Sequence, residues 1–208
     1  MPKSRRHKIT IICIVLIVCG TIAAFVFDVN PLAKARPENR SLYQLLADMG
    51  VEIFPSSTSQ VEIQLQDLNG ADVNISDFRG KIVFLNFWAT WCPTCVVEMP
   101  SMEKLHRKLK DKDFALVSIS IQDSATEVKR FFKQNKLTFA ALLDSSGKTV
   151  PGFSIRAIPT TLILDKTGRI IGLVIGPREW DSRESIAMFE HLAAEPVTDT
   201  TVNPADPG

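Results

Sequence analysis

Two cysteines three residues apart follow closely on an unbroken apolar run, and this junction constrains the fold more than any other part of the chain. Residues 82–85 read Ile-Val-Phe-Leu, and FWATWCPTCVVE continues from Phe87 to Glu98. An apolar run without polar alternation is typical of a central strand covered on both faces. From Pro93 onward the apolar residues recur at helical spacing. The two cysteines therefore lie where a buried strand leads into a helix.

The positions of the two cysteines predict a different role for each. Residues one helical turn apart have Cα atoms ~5 Å from each other, a separation that a disulfide can span. Cys92 lies at the helix start, where unpaired backbone N–H groups and the helix dipole favour a thiolate, and Pro93 suits the first turn. Cys95 lies one turn further in and is expected to be more buried. We predict that Cys92 attacks a target disulfide and that Cys95 resolves the mixed disulfide.

A metal site and a structural crosslink are the other uses of such a pair. A structural zinc site needs about four ligands. Only His106 and His191 could add to the two cysteines outside the N-terminal 27 residues, and neither lies at the usual spacing. A crosslink that closes so short a loop stabilises little. The sequence therefore favours redox chemistry, with no cofactor beyond the Cys92–Cys95 disulfide and no metal.

The N-terminal region predicts a membrane anchor. Residues 9–27 form an uncharged apolar stretch of 19 residues, preceded by four basic residues within 1–8 and followed by Asp28. At ~1.5 Å per residue such a helix spans the hydrocarbon layer of a bilayer. The positive-inside rule leaves residues 1–8 in the cytoplasm as an arm and sends the rest across. A cleaved signal peptide and a lipid-modified Cys19 are alternatives, and both also place the domain where disulfides persist.

The rest of the chain divides into a spacer, one domain and a tail. Residues 28–59 carry three prolines and one short helical pattern, which predicts a spacer. Residues 60–194 predict a hairpin around Asn69–Gly70, then strand–helix–strand–helix–strand, and finally a strand pair and a helix. Residues 195–208 are polar with three prolines, which predicts a disordered tail. The composition is 45% hydrophobic and 23% charged, and the net charge of +1 gives no indication of nucleic-acid binding.

This order of elements predicts an α/β fold: a mixed central sheet with helices on both faces, an N-terminal β-hairpin and an N-terminal transmembrane helix. FWATWCPTC resembles the active site of thioredoxin, in which WCxxC follows a central strand. Pro100 matches the proline inside the active-site helix of that family. Ile158–Thr160 matches the loop whose cis-proline faces the cysteines, and Thr161–Arg169 matches the hairpin that follows. The resemblance covers roughly Gln60–Ala194 and implies a thioredoxin-like sandwich.

The anchor, the hairpin and Glu98 make the chain similar to the TlpA/ResA type, which are anchored, extracytoplasmic thiol–disulfide oxidoreductases. Asn86 stands where thioredoxin has a buried aspartate. The resemblance implies that Glu98 takes over the proton work, since it lies one turn after Cys95. On spacing alone, a solvated helix glutamate is the alternative.

The resemblance also implies a binding surface for client proteins. A cis bond before Pro159 would expose the Ile158 backbone to an extended client strand. Trp91 and Pro93 would shape the surface beside the cysteines. Residues 124–139 resemble an insertion of this family, which serves either partner specificity or structural cover.

The function implied is reduction of client disulfides outside the cytoplasm, with CxxCH motifs of apocytochrome c as clients and a membrane electron-donor thiol oxidoreductase as partner. The Pro93–Thr94 dipeptide also occurs in cytochrome c maturation reductases. A disulfide oxidase or isomerase of the same fold is one alternative, because the sequence does not give the redox poise. A client-binding module with secondary redox activity is another.

Overall fold

The computed structural model describes Leu46 and residues 50–53, 60–153 and 155–196. The predicted arm and anchor, residues 1–27, lie outside these ranges, and so does residue 197 onward of the predicted tail. Within the described ranges, no helix is both long and apolar enough to cross a membrane.

A mixed β-sheet forms the centre of the described structure, as predicted. Its strands are, in chain order, β1 (Glu52–Ile53), β2 (Gln64–Asp67), β3 (Asp72–Asn74), β4 (Ile82–Trp88), β5 (Phe114–Ile121), β6 (Ala140–Asp144), β7 (Thr160–Leu164) and β8 (Ile170–Ile175). Their order across the sheet is β1-β8-β7-β4-β5-β6-β2-β3. The pairs β4–β5 and β5–β6 are parallel and the others antiparallel. β4 therefore lies inside the sheet, with β5 and β7 on either side.

The α-helices that follow β4 pack on one face of this sheet. They are α1 (Pro93–Leu109), α2 (Ala125–Asn135) and α3 (Arg183–Ala194), and their buried side chains join one apolar cluster with Phe84 and Trp88 of β4. The opposite cluster contains no side chain from them and is covered by residues from two 3-10 helices, Ile75–Phe78 and Pro151–Phe153. Within the described residues, the second face carries 3-10 helices but no α-helix. The prediction of helices on both faces is therefore met on that face only by 3-10 helices.

Strand β4 confirms the prediction of a central strand, because all seven of its residues are buried. Phe84 and Trp88 enter the helix-covered cluster, whereas Val83, Leu85 and Phe87 enter the opposite one. Burial on both faces is what an unbroken apolar run requires. The strand ends four residues before Cys92 and so delivers the cysteines to the edge of the sheet.

The segment from Gln60 to Asp67 differs from the single strand predicted there. Gln60 bridges Arg169 next to β8, but Gln66 pairs with Leu143 of β6, on the other side of the sheet. The segment therefore crosses the second face, and only its end, β2, joins a ladder. Its alternating burial is as predicted, because the crossing buries every second side chain against the sheet: Val61, Ile63 and Leu65.

The predicted spacer, residues 28–59, also contributes to the fold. Leu46 and Val51 are buried in the helix-side cluster. β1 pairs with β8, with Glu52 opposite Leu173. The packed unit thus includes residues before the predicted domain boundary at Gln60, because β8 accepts a further strand at its free edge.

Candidate active site

Cys92 and Cys95 form a disulfide at the N-terminus of α1, with their Cα atoms 5.3 Å apart. Cys92 is the N-cap, and its Sγ accepts a hydrogen bond from the Cys95 N–H at 3.2 Å. The Thr94 hydroxyl lies 3.3 Å from the same sulfur. Cys95 is fully buried, whereas Cys92 is 6% exposed, which confirms the predicted difference in burial. These donors can stabilise a Cys92 thiolate once the disulfide opens.

The loop before β7 faces the disulfide. The Ile158–Pro159 peptide bond is cis, and the Ile158 carbonyl oxygen lies 3.8 Å from Cys92 Sγ. The oxidised sulfur has no proton to donate, so this is a contact, whereas a Cys92 thiol could donate there. The Pro159 carbonyl is held by the Gly176 N–H at 2.8 Å. The structure therefore brings Ile158 and Pro159 to the cysteines.

Trp91 and Pro93 lie on the exposed side of the disulfide. Trp91 is 58% exposed, unlike Trp88, which is buried against Phe131 with ring centroids 5.0 Å apart. Beside Trp91 a groove of about 300 Å³ runs along the loop before Pro159 and is lined among others by Gln122, Val150, Arg156 and Ile158. A side chain of a bound polypeptide can occupy this groove within reach of Cys92.

Glu98 is buried rather than solvated, with 2% of its surface exposed. Its Oε2 accepts hydrogen bonds from Trp180 Nε1–H at 2.9 Å and from the Arg178 N–H at 3.2 Å. Its Oε1 accepts from Asn86 Nδ2–H at 3.0 Å. Burial raises the pKa of the Glu98 carboxyl, and the three N–H donors together with the Arg178 charge offset only part of that rise. A carboxyl of this kind can take up and release a proton.

Glu98 also borders a cavity of about 470 Å³ between α1 and the loop before α3. The lining includes the polar side chains of Ser101, Lys104, Arg178 and Asp181. Lys104 and Asp181 form a salt bridge of 2.7 Å beside it. The cavity gives the buried carboxyl a route by which protons can exchange with solvent.

Asp123 is a residue of the site that sequence reasoning missed. It is buried just after the end of β5, where Oδ2 accepts from the Thr90 N–H at 2.8 Å and Oδ1 accepts from the Thr90 hydroxyl at 2.6 Å. Thr90 lies two residues before Cys92, so Asp123 holds the loop that carries the nucleophile. A sequence signal existed: parallel neighbouring strands end at the same edge of a sheet, and Asp123 closely follows the second one.

We expect Asp123→Ala to destabilise the fold by about 1–3 kcal/mol, because it leaves the partly buried Thr90 N–H without its acceptor. Urea unfolding of the oxidised protein measures this, and a disulfide reductase assay reports the accompanying loss of activity. Asp123→Asn is the control, since its amide oxygen can still accept from one Thr90 donor. Equal stability of Asp123→Ala and the unmodified protein would show that the loop is held by other contacts.

The two histidines considered as metal ligands lie apart from the cysteines. His106 packs edge-on against Phe139, with ring centroids 6.2 Å apart, and His191 lies 3.6 Å from Glu195 at the end of α3. Among the described residues, no group of three or more His, Cys, Asp and Glu side chains could hold a metal ion.

The residues predicted as insertion, 124–139, form α2 and its flanks. Ser124 and Glu127 form a capping box at its start. Val128 and Phe132 are buried, and the Phe132 ring lies 6.0 Å from that of Trp88. The helix therefore serves as cover for the strand that leads to the cysteines.

A redox-active cysteine pair on a mixed sheet, with a cis-proline loop opposite, defines a thiol–disulfide oxidoreductase of the thioredoxin superfamily. Residues 40–188 match the Redoxin family, and the chain belongs to that family. Among its relatives, the thiol-disulfide oxidoreductase ResA of Bacillus cereus is 36% identical, over 57% of this chain and 68% of its own. ResA of Bacillus subtilis is 30% identical, over 61% and 71%.

Solved structures show the same fold. StoA from Bacillus subtilis superposes with a TM-score of 0.53 at 28% identity and covers 62% of this chain and 97% of its own. A DsbF homologue from Corynebacterium diphtheriae gives a TM-score of 0.58 at 27% identity, over 68% and 92%. The resemblance to ResA/TlpA-type proteins is thereby confirmed.

Proposed function

We propose that this protein is an extracytoplasmic reductase of client disulfides that acts in cytochrome c maturation. The observation that carries the proposal is the buried carboxyl of Glu98, one helical turn after the buried Cys95. Such an acid can accept the proton that a buried thiol must lose before it attacks. Relatives named as ResA thiol-disulfide oxidoreductases support the same interpretation.

The reaction begins with the reduced pair. The Cys92 thiolate attacks a client disulfide, one client sulfur leaves as a thiolate, and a mixed disulfide joins Cys92 to the client. Cys95 then transfers its proton to Glu98 and attacks Cys92 Sγ. The Cys92–Cys95 disulfide forms, the bond to the client breaks, and the second client sulfur leaves as a thiolate. The client gains two electrons and the pair loses two.

The client binds as an extended segment beside the cysteines. The Ile158 backbone lies against Cys92 Sγ, so a strand paired with it would present its own disulfide to that sulfur. Trp91 and Pro93 shape the surface, and the groove beside Trp91 takes a client side chain. We propose the CxxCH motifs of apocytochrome c as clients, since they must be reduced before haem attaches.

Residues 9–27 anchor the domain to the membrane in this proposal, with residues 1–8 in the cytoplasm and the domain on the other side. A membrane thiol oxidoreductase supplies the electrons that reduce the Cys92–Cys95 disulfide after each turnover. No dissociable cofactor is needed, because the cysteine pair carries both electrons.

The equilibrium reduction potential of the cysteine pair tests the direction of the reaction. We expect a value near or below that of thioredoxin, about −270 mV, when the full chain is equilibrated in detergent with glutathione or dithiothreitol buffers. A value near that of the strong oxidant DsbA, about −120 mV, would contradict the reductase and favour disulfide formation. Cys92→Ala, which cannot form the disulfide, is the control for the redox signal.

Glu98→Gln tests whether Glu98 accepts the proton of Cys95. We expect resolution of the mixed disulfide to slow by about 10²-fold or more, the usual contribution of a general base, and to lose the pH dependence due to Glu98. Stopped-flow thiol release across pH measures it. Glu127→Gln on α2 is the control, since that glutamate is exposed and caps its own helix. Unchanged kinetics in Glu98→Gln would reduce Glu98 to a structural acid.

Glu98→Gln should also change how stability depends on pH, in a direction that the raised pKa fixes. Because burial raises the pKa of Glu98 above its unfolded value, the neutral acid contributes stability at low pH that is lost as pH rises through the raised pKa. Glu98→Gln carries no such loss. We therefore expect its Tm, relative to that of the unmodified protein, to increase with pH when thermal unfolding is followed by circular dichroism. A difference in Tm that stays constant across pH would contradict the raised pKa.

A further inference from the structure

Asn86 is the one polar side chain of β4, and it is fully buried. Its Nδ2 lies 3.0 Å from Glu98 Oε1 and 3.0 Å from Thr161 Oγ1 on β7. Its Oδ1 is buried without a hydrogen-bond partner among the described residues. A buried acceptor left unpaired is costly, so this orphaned oxygen needs an explanation.

The hydrogen bonds of Glu98 suit only its ionised form. Trp180 Nε1–H, the Arg178 N–H and Asn86 Nδ2–H all donate to it, and a carboxylate can accept from all three. A neutral carboxyl instead carries a proton that needs an acceptor. The Trp180 and Arg178 N–H groups cannot provide one. An asparagine amide can, because rotation by about 180° exchanges its nitrogen and its oxygen.

Thr161 is compatible with both orientations of the amide. Its hydroxyl accepts from Asn86 Nδ2 in the observed orientation. A hydroxyl also donates, so it could instead bond to Oδ1 after rotation. The rotated amide would then accept from two donors, the neutral Glu98 and the Thr161 hydroxyl.

We propose that Asn86 is a positioning residue whose side-chain amide rotates with the protonation state of Glu98, donating to the carboxylate and accepting from the neutral acid. The amide thereby lets Glu98 hold a proton in a place where its other partners only donate. Because Glu98 accepts the Cys95 proton only in the proposed function, the catalytic part of this role rests on that function.

The rotation has a defined place in the reaction. Cys95 loses its proton to Glu98, and the amide turns to accept from the new O–H. The Cys95 thiolate attacks Cys92 Sγ, the Cys92–Cys95 bond forms, and the bond to the client sulfur breaks. When Glu98 releases the proton to solvent through the cavity beside α1, the amide returns to the orientation seen in the disulfide form.

Other charged groups reach Glu98 from the opposite side. Arg178 approaches from the loop before α3, and Lys104, Glu179 and Asp181 line the shared cavity. On α1 itself, the redox-active Cys95 lies one turn earlier. Several groups can therefore change the pKa of Glu98, and only variants of Asn86 can attribute such a change to the amide.

The first test is NMR of the oxidised full chain in detergent, which needs no client. The carboxyl ¹³C signal of Glu98 gives its titration midpoint. We expect an NOE between the Asn86 amide protons and the Thr161 side chain above that midpoint and its loss below it. An NOE of equal strength at both pH extremes overturns the rotation.

Glu98→Gln is the matched variant for this measurement, because its side chain does not titrate. The introduced amide keeps its oxygen on the Trp180 and Arg178 donors and turns its nitrogen towards Asn86, which must then accept. We therefore expect the NOE between Asn86 and Thr161 to be weak at every pH in this variant. A strong NOE that persists in Glu98→Gln would likewise contradict the rotation.

The second test is a double-mutant cycle on the resolving step. Asn86→Ala removes a hydrogen bond to the ionised carboxylate and a weaker one to the neutral acid, so we expect the midpoint of the pH–rate profile to move upward by about one pH unit. In the Glu98→Gln background the same change should have no effect on the profile. Ser118→Ala is the control, because Ser118 lies opposite Asn86 on β5 and its hydroxyl bonds to the Ala140 carbonyl. An equal effect of Asn86→Ala in both backgrounds would make Asn86 a purely structural residue.

The two tests separate this proposal from the proposed function. A strongly oxidising potential would overturn the reductase and leave the NMR result on the disulfide form standing. An amide that never rotates would overturn the proposal for Asn86 and leave the reductase standing.

Discussion

Replacing Cys92 by serine should abolish turnover of disulfide substrates. Cys92 is the cysteine that is accessible from the surface. The Cys95 N–H and the Thr94 hydroxyl lie beside its sulfur, and Ile158 lies opposite. A serine hydroxyl cannot form a disulfide, so the first step of the reaction is lost rather than slowed. Reduction of a model disulfide, followed by thiol release, should fall to the uncatalysed rate.

Cys95→Ser is the matched variant. It keeps the nucleophile but removes the resolving thiol, so the mixed disulfide with the client should accumulate. Non-reducing electrophoresis after mixing with an oxidised CxxCH peptide detects the adduct. If Cys92→Ser forms the adduct and Cys95→Ser does not, the assignment of the two roles is reversed. If Cys92→Ser keeps both client affinity and its role in the cell, the protein is a binding module.

Trp180→Ala should be the most destabilising single substitution at the site, at about 3–5 kcal/mol of the free energy of unfolding. Trp180 is fully buried, its ring lies 4.6 Å from that of Phe84, and its Nε1–H bonds to Glu98. The substitution removes a large ring from the core and a donor from a buried carboxyl. Urea unfolding of the oxidised protein measures the loss.

Trp180→Phe separates the two contributions. It keeps a ring against Phe84 but removes the N–H, so most of the stability should return. The pKa of Glu98 should rise further, because the Trp180 hydrogen bond is the largest of the effects that lower it. A loss below about 1 kcal/mol for Trp180→Ala would mean that the surrounding core collapses into the space.

The sequence was sufficient to predict the junction of strand and helix at the cysteines because the relevant forces are local. The apolar run up to Phe87 requires burial on both faces, and Pro93 starts the helix. The difference in burial between the two cysteines then follows from helix geometry. These features depend on neighbours within a few residues.

The surroundings of Glu98 could not be predicted in the same way. Its donors Arg178 and Trp180 follow it by 80 and 82 residues along the chain, and Asn86 approaches from the strand beneath. Spacing places Glu98 near Cys95 but does not say what covers it. Burial, and with it the raised pKa, is a property of the assembled fold.

The alternation from Gln60 to Gln66 shows a second limit. It predicted which side chains are buried but not the pairing, because crossing the face of a sheet produces the same alternation as lying at its edge. Prediction of the helix positions has the same limit. An amphipathic pattern indicates that a helix has a buried side, but not which face of the sheet the helix covers.

The outermost strands of the described sheet are very short: β1 has two residues and β3 has three. Long exposed edges invite other chains to add a strand without control. A protein proposed to handle unfolded, extended clients meets this hazard constantly. The proposed function instead directs strand addition to the loop at Ile158, next to the Cys92 sulfur. If clients bind there, a client strand that docks on the loop brings its disulfide to Cys92 in the same step.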